Sequence, residues 1–155
     1  MSQKVSFEQV TNASSPDRIS AILALMPLYY ADDHLEFDLV VARRAIGELV
    51  VNPGLGQLWL IRSAEEVVGY FAIVFSYSLE FGGKTALIDE LFALEAFRGK
   101  GLGTQAIKQA LAECRKAGAN TVRLEVTPTN ARALKLYERL GFKNLGRSLL
   151  TYQDH

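Results

Sequence analysis

The sequence predicts an α/β (α+β) fold, with a central mixed, mostly antiparallel sheet flanked by helices in the order β-α-α-β-β-β-α-β-α-β. Three observations carry that prediction. Two β-rich runs, "QLWLIR" and "VVGYFAIVFSYSL", are separated only by "SAEE", and a third, "TALIDELFAL", follows across the turn "EFGGK", which is the pattern of an antiparallel meander. From Thr104 to Ala117 the apolar residues Ala106, Ile107, Ala110, Leu111 and Cys114 recur at helical spacing. A further strand, "TVRLEV", then leads to a second strong helical pattern from Asn130 to Leu140, so strands and helices must share one layered core.

Each element has its own signals. "KVSFEQV" alternates weakly and suggests a first strand, and "TNASSPD" turns the chain. Ser15-Pro16-Asp17 opens a helix with proline at its first position, and Ile19, Ile22, Leu23, Leu25 and Met26 mark its apolar side toward Tyr30. The acidic link "ADDHLEFD" leads into a second helix, Leu39 to Val50, which "NPGLG" ends. Gly118 and Gly141 stop the two later helices, as glycine does just past a helix C-terminus. "FKNLGRSLLTY" reads as a final extended segment or hairpin. There is no internal repeat, low-complexity tract or linker, so residues 1–155 are expected to form one domain.

Composition narrows the function classes. Apolar residues make up 49% and charged residues 22%, the profile of a globular protein. Lys+Arg and Asp+Glu both number 17, which gives no electrostatic case for nucleic acid as the main partner. Cys114, the only cysteine, has no disulfide partner within the chain and no accompanying ligand cluster, so no metal is expected. Its place inside a helical pattern suits a small buried thiol rather than a nucleophile. "MSQKVSFEQV" lacks the apolar centre of a signal peptide, and no apolar run is long enough to cross a bilayer. The expected location is cytoplasmic, with no membrane partner.

The stretch "LFALEAFRGKGLGTQAI" carries the chemistry. A strand, a glycine-rich turn and a helix start form an anion site, because the first helical N–H groups are unpaired and the helix dipole adds about half a positive charge there. Gly101 and Gly103 let backbone approach phosphate oxygens without a Cβ in the way, and Arg98 and Lys100 add mobile positive charge. Two other phosphate motifs are excluded. "GGKT" at Gly82 to Thr85 resembles the tail of a P-loop, but Ser78 stands where the first glycine belongs and a strand follows rather than a helix. Gly101-x-Gly103-x-x-Ala106, with Glu125 about twenty residues on, fits a dinucleotide fingerprint. It comes too late for the remaining βαβ units, and Asp89 and Glu90 interrupt a strand that should be nearly all apolar in such a fold.

Arg98-Gly-Lys-Gly-Leu-Gly103 resembles the Arg/Gln-x-x-Gly-x-Gly/Ala signature of the GNAT superfamily of N-acetyltransferases. The likeness extends over nearly the whole chain. A hydrophobic strand, Leu87 to Leu94, precedes the signature, and "TNARALKLYERLGF", Thr129 to Phe142, looks like the family's second motif. The resemblance implies acetyl-coenzyme A as donor and a primary amine as acceptor, and the acidic pair Asp89-Glu90 is similar to that of polyamine and diamine acetyltransferases. It implies that the backbone of Arg98, Gly99, Lys100, Gly101, Leu102, Gly103 and Thr104 holds the coenzyme pyrophosphate. It also implies that the strand segment Leu91, Phe92 and Ala93 pairs with the pantetheine arm through the backbone of Leu91 and Ala93. Asn130, a good N-cap by its own chemistry, is implied as a further coenzyme contact. Tyr137 shares an apolar helical face with Ala133, Leu134 and Leu140, so spacing alone makes it a core ring; the resemblance makes it the acid that protonates the departing thiolate.

Acetyl transfer needs an uncharged amine, and an alkyl amine has a pKa near about 10, so a base must act. Asp89 and Glu90 are the candidates. Neighbours in a strand face opposite sides, so at most one is expected to point into the cleft. In the fold that the resemblance implies, the link between the first two helices borders the acceptor. Here it offers Tyr30, Asp33, Glu36 and Phe37, beside Tyr29, Asp32 and Asp38, as carboxylates and aromatic faces for a cation. The ordinary alternative is a solvated acidic loop. The acceptor is expected to be a small-molecule or peptide amine, with a homodimer left open. A coenzyme A-binding sensor without catalysis and a dinucleotide-binding module are the competing readings.

Overall fold

A computed structural model describes residues 4–154, so the first three positions of the stretch read for a leader lie outside the described residues. The chain divides into two compact units, one through Glu125 and one from Val126. The first carries β1 (Ser6–Val10), α1 (Pro16–Asp32), α2 (Leu39–Val51), β2 (Gly56–Ser63), β3 (Glu66–Ser78), β4 (Gly83–Ala93), α3 (Leu102–Lys116) and β5 (Thr121–Leu124). The second carries α4 (Ala131–Arg139).

The sheet runs β1-β2-β3-β4-β5 in chain order; its first three pairings are antiparallel and only β4–β5 is parallel. It is therefore the mixed, mostly antiparallel sheet expected, and it is not the parallel doubly wound sheet of a dinucleotide fold. Alternation sorts its side chains into two layers. Val10, Leu58, Leu60, Tyr70, Ala72 and Phe92 join Ile22, Leu23, Leu25 and Met26 of α1 and Ala42 and Ile46 of α2 in one core. The intervening residues Trp59, Ile61, Phe71 and Ile73 are buried on the opposite face, where α3 packs against β3 and β4 through Leu102, Ala106, Ile107, Ala110 and Cys114. Trp59 and Phe71 stack there at 5.9 Å between ring centroids.

Helix ends follow local chemistry. Ser15 is the N-cap of α1, and Pro16 follows it at the position where the missing N–H costs nothing. Asp38, read above with the acidic link, caps α2 by accepting from the N–H groups of Val40 and Val41 at 2.9 and 3.1 Å. Its carboxylate therefore holds backbone. Gly118 lies past the end of α3 with φ of 86°, the left-handed conformation that glycine adopts without strain.

In the second unit, Asn130 caps α4, its side-chain oxygen accepting from Ala133 N at 3.2 Å. Gly141 follows the helix at φ 98°, and Phe142 N donates to Tyr137 O at 3.0 Å, closing the turn. The segment "FKNLGRSLLTY" carries no strand pairing among the described residues. No helix is formed there either, and Leu149, Leu150 and Tyr152 are exposed.

Candidate active site

The signature loop is built by backbone conformations that favour glycine. After β4 a short 3-10 turn, Glu95–Phe97, brings the chain to Arg98. Gly99 and Gly101 then take φ of 76° and 84°, where an L side chain costs about 1–2 kcal/mol. Gly101 is the N-cap of α3, which begins at Leu102, two residues earlier than its periodicity suggests. Gln105 N donates to Gly101 O at 3.1 Å. The N–H groups of Leu102, Gly103 and Thr104 belong to the turn that α-helical geometry leaves without intrahelical partners. Leu102, Ala106 and Ile107 are almost wholly buried, so the core fixes the direction of that turn.

Arg98 is less mobile than its sequence suggests. Its Nε donates to Ala93 O at 2.8 Å and its guanidinium pairs with Asp32 at 2.8 Å. The guanidinium carbon lies 5.3 Å from the centroid of the Phe92 ring, in cation–π range. Lys100 turns back to the carbonyl of Ala96 at 3.3 Å.

Next to this loop the sheet opens. The β4–β5 pairing ends at Ile88↔Leu124, while β4 continues to Ala93. Leu94 N donates to Val68 O on the β3 side, and backbone direction alternates along a strand. The groups of Leu91 and Ala93 therefore point to the side where β5 has stopped. Phe92, grouped with them by sequence, is a core ring only 5% exposed. Its carbonyl faces Gly69, where an added Cβ would lie 2.2 Å from that oxygen.

The acidic pair sits at a break in β4. Ala72 pairs with Glu90 and Ile73 with Ile88, which leaves Asp89 as an extra residue. This bulge cancels the simple alternation expected of the pair. Ile88 joins Ile73 on the α3 side, whereas Glu90 turns to the α1 side and meets two tyrosines. Tyr30 Oη donates to Glu90 Oε2 at 2.8 Å, and Tyr70 Oη donates to Oε1 at 2.7 Å. Burial raises the Glu90 pKa, the hydroxyls of Tyr70 and Tyr30 pull it down, and the charges of Asp89 and Asp33 raise it again; the net direction is upward. Asp89 is also raised, first by burial and then by Glu125. These are the conditions that make a carboxylate a better base than in water.

The acceptor-side residues divide. Phe37 meets the Tyr30 ring edge-on at 5.4 Å, and Tyr29 contacts Tyr30, Tyr70 and Phe92 at 5.6, 6.4 and 6.1 Å. Asp33 acts on Tyr29 and Glu90. Glu36 is exposed and stays with the solvated-loop reading. Asp32 is committed to Arg98. In the second unit Tyr137 is partly buried against Phe142, with ring centroids 5.9 Å apart. Cys114 is fully buried and its thiol is pushed up to about 11 by burial, then by Glu113, so it is held as the unreactive thiol.

Sequence reading missed Tyr70. It sits in an apolar β3 run where tyrosine is indistinguishable from a core aromatic; only the register, with Tyr70 two residues along the same face from Ala72, the partner of Glu90, shows what its hydroxyl does. Among the described residues, no group of three or more His, Cys, Asp or Glu side chains is arranged to hold a metal ion, and no helix is long and apolar enough to cross a membrane.

Comparison with known proteins identifies the family. The profile of the Acetyltransferase (GNAT) family matches residues 20–142. The chain is 31% identical over 103 residues to the thialysine N-epsilon-acetyltransferase of Mus musculus, covering 66% of this chain and 56% of that protein. It is 28% identical over 108 residues to the aminoalkylphosphonate N-acetyltransferase of Salmonella typhimurium, covering 70% of each. The chain thus spans about half the length of the first of these relatives. Among solved structures, an integron cassette protein from the mobile metagenome of Cole Harbour Salt Marsh shares 28% identity at a TM-score of 0.82, over 95% of this chain and 89% of that one. A predicted acetyltransferase from Clostridium acetobutylicum, solved with acetyl-CoA, shares the fold at a TM-score of 0.78 and 15% identity, over 96% of both chains. With its glycine signature at a helix start, its opened β4 edge and a family match over most of its length, the chain belongs to the acetyltransferase (GNAT) family.

Proposed function

We propose that the protein moves an acetyl group from acetyl-coenzyme A directly to the nitrogen of a cationic alkyl amine, within a single acetyltransferase domain and without a covalent enzyme intermediate. The observation that carries this reading is Glu90, a carboxylate of raised basicity held by the Tyr30 and Tyr70 hydroxyls, immediately before the β4 edge segment Leu91–Ala93. Acetyl-coenzyme A supplies the activated thioester. The first turn of α3 and the glycines before it suit its pyrophosphate, because unpaired N–H groups and the helix dipole favour anions there. The outward backbone groups of Leu91 and the N–H of Ala93 suit an amide-bearing arm.

Glu90 receives the ammonium proton, directly or through water, and so exposes the nitrogen lone pair. The C–N bond forms as the C–S bond breaks. Tyr137, by its place in the family motif, gives its proton to the sulfur; the second proton leaves the nitrogen for solvent, from which Tyr137 is reprotonated, and Asn130 contributes to the coenzyme site. Tyr30, Phe37 and Asp33 offer aromatic faces and negative charge to an alkylammonium group. The relatives named for thialysine and aminoalkylphosphonate act on amines of that kind, which supports an alkyl amine as the class.

The test is a panel of amines that includes thialysine, 1,4-diaminobutane and an aminoalkylphosphonate, followed by release of free thiol. Turnover with at least one cationic amine and none with neutral hydroxyl acceptors is expected. Turnover only with acceptors that carry no ammonium group would overturn the assignment of the carboxylates.

A further inference from the structure

Tyr70 is 1% exposed, on the face of β3 that packs against α1. Its ring lies 6.2 Å from Phe92 and 6.4 Å from Tyr29, and its hydroxyl reaches Glu90 Oε1 at 2.7 Å. Tyr30, from α1, holds the other carboxylate oxygen at 2.8 Å. One hydroxyl on each oxygen fixes the carboxylate's plane, while each oxygen keeps a second acceptor direction. β3 and α1 are rigid elements on the same core, so this orientation does not depend on a loop. A hydroxyl buried at this depth needs a partner in any case. That alone, however, does not require a partner that is itself next to the opened edge of β4, or a second tyrosine on its other oxygen.

We propose that Tyr70 is a positioning residue for acetyl transfer: it fixes the Glu90 carboxylate, together with Tyr30, so that a free lone pair stays aimed at the acceptor amine. The proposal rests on the reading of Glu90 as the base. The groups acting on Glu90 are Tyr30 and Asp33 from α1 and its end, Tyr70 from β3, and Asp89 from its own strand. Both carboxylates oppose its ionisation and both hydroxyls favour it. Loss of the Tyr70 hydroxyl therefore moves Glu90 toward the protonated form, and it frees the carboxylate to turn.

Tyr70→Phe keeps the ring and its packing, and a melting curve verifies that the fold is retained. With thialysine or 1,4-diaminobutane as acceptor, the acid limb of kcat/KM is expected to move to higher pH. At a pH above the limb, kcat should fall on the order of tenfold through misorientation alone, with acetyl-coenzyme A affinity unchanged. Tyr30→Phe should displace the limb in the same direction. A ¹³C-glutamate NMR titration of Glu90 reads the same displacement without turnover. If Tyr70→Phe leaves the limb, kcat and the NMR titration unchanged while Glu90→Gln is inactive, Tyr70 is packing only and the base assignment stands. If Glu90→Gln retains the full pH–rate profile, Glu90 is not the base and the role of Tyr70 falls with it.

Discussion

Arg98, the first residue of the glycine signature, is paired with Asp32, the last residue of α1, at 2.8 Å. The pair ties the glycine loop to the helix that supplies Tyr29 and Tyr30. Because the same guanidinium also holds Ala93 O, its charge is already engaged when the sequence would have it free for phosphate. We expect Arg98→Gln to weaken acetyl-coenzyme A binding only a few-fold, since the proposed phosphate site is made of backbone N–H groups. Both partners are largely exposed, at 42% and 53%, so a double-mutant cycle with Asp32→Asn should give a coupling below about 1 kcal/mol, and less at high salt. A hundredfold loss of affinity in Arg98→Gln would make the side chain a direct phosphate ligand.

Gly101 makes the opposite prediction. Its φ of 84° is strained for any β-branched residue, and its position is the N-cap itself. Acetyl-coenzyme A at a hundredfold excess over its dissociation constant should stabilise the native protein by about 2.7 kcal/mol, read as a rise in Tm. Gly101→Val should abolish that rise, and NAD should produce little in either protein. A rise preserved in the variant would take the loop out of the coenzyme site.

Glu90 has a raised pKa, so its sign is fixed. Its contribution to stability is fully present below the ordinary carboxyl range and is lost as pH rises through the folded-state value. Glu90→Gln should therefore flatten the fall of stability across that window in a pH series of denaturant melts. In activity, the acid limb of the wild-type kcat/KM should lie above the range of an unperturbed glutamate. Asp89→Asn, which removes one like charge, should shift the limb downward while keeping turnover. If Asp89→Asn is inactive and Glu90→Gln active, the two carboxylates exchange roles.

Tyr137→Phe should lower kcat by about 10²- to 10⁴-fold with little change in coenzyme affinity, as expected of a lost general acid. The ring contact with Phe142 is kept in that variant, and a melting curve separates loss of the hydroxyl from loss of the fold. Full activity at saturating substrate would leave Tyr137 a packing residue.

The order of elements was legible because strong local signals agree with one another: Pro16 at a helix start, glycines past helix ends, and short turns between β-rich runs. The glycine loop was legible because glycine at positive φ leaves a trace in sequence. The acidic pair was legible as a pair but its geometry was not. A bulge depends on which residue of β3 meets which of β4, and alternation within β4 alone gives the wrong facing for Ile88 relative to Glu90. Tyr70 was hidden for the same reason, since its partner lies on another strand. Arg98 and Asp38 were misjudged because a charge in sequence does not show whether the fold already uses it. "FKNLGRSLLTY" reads as extended because it is rich in β-formers, yet pairing is a long-range property that no residue in it encodes.

The measurement that tests the central claim most directly is the stoichiometry of the complete reaction. Purified protein, acetyl-coenzyme A and the best amine of the panel are mixed, with free thiol followed optically and the amine product by mass spectrometry. One N-acetylated amine should form for each thiol released, at a rate that saturates in both substrates, and Glu90→Gln should suppress both signals together. Binding of acetyl-coenzyme A with no thiol release for any amine would instead describe a coenzyme-binding sensor and contradict the account.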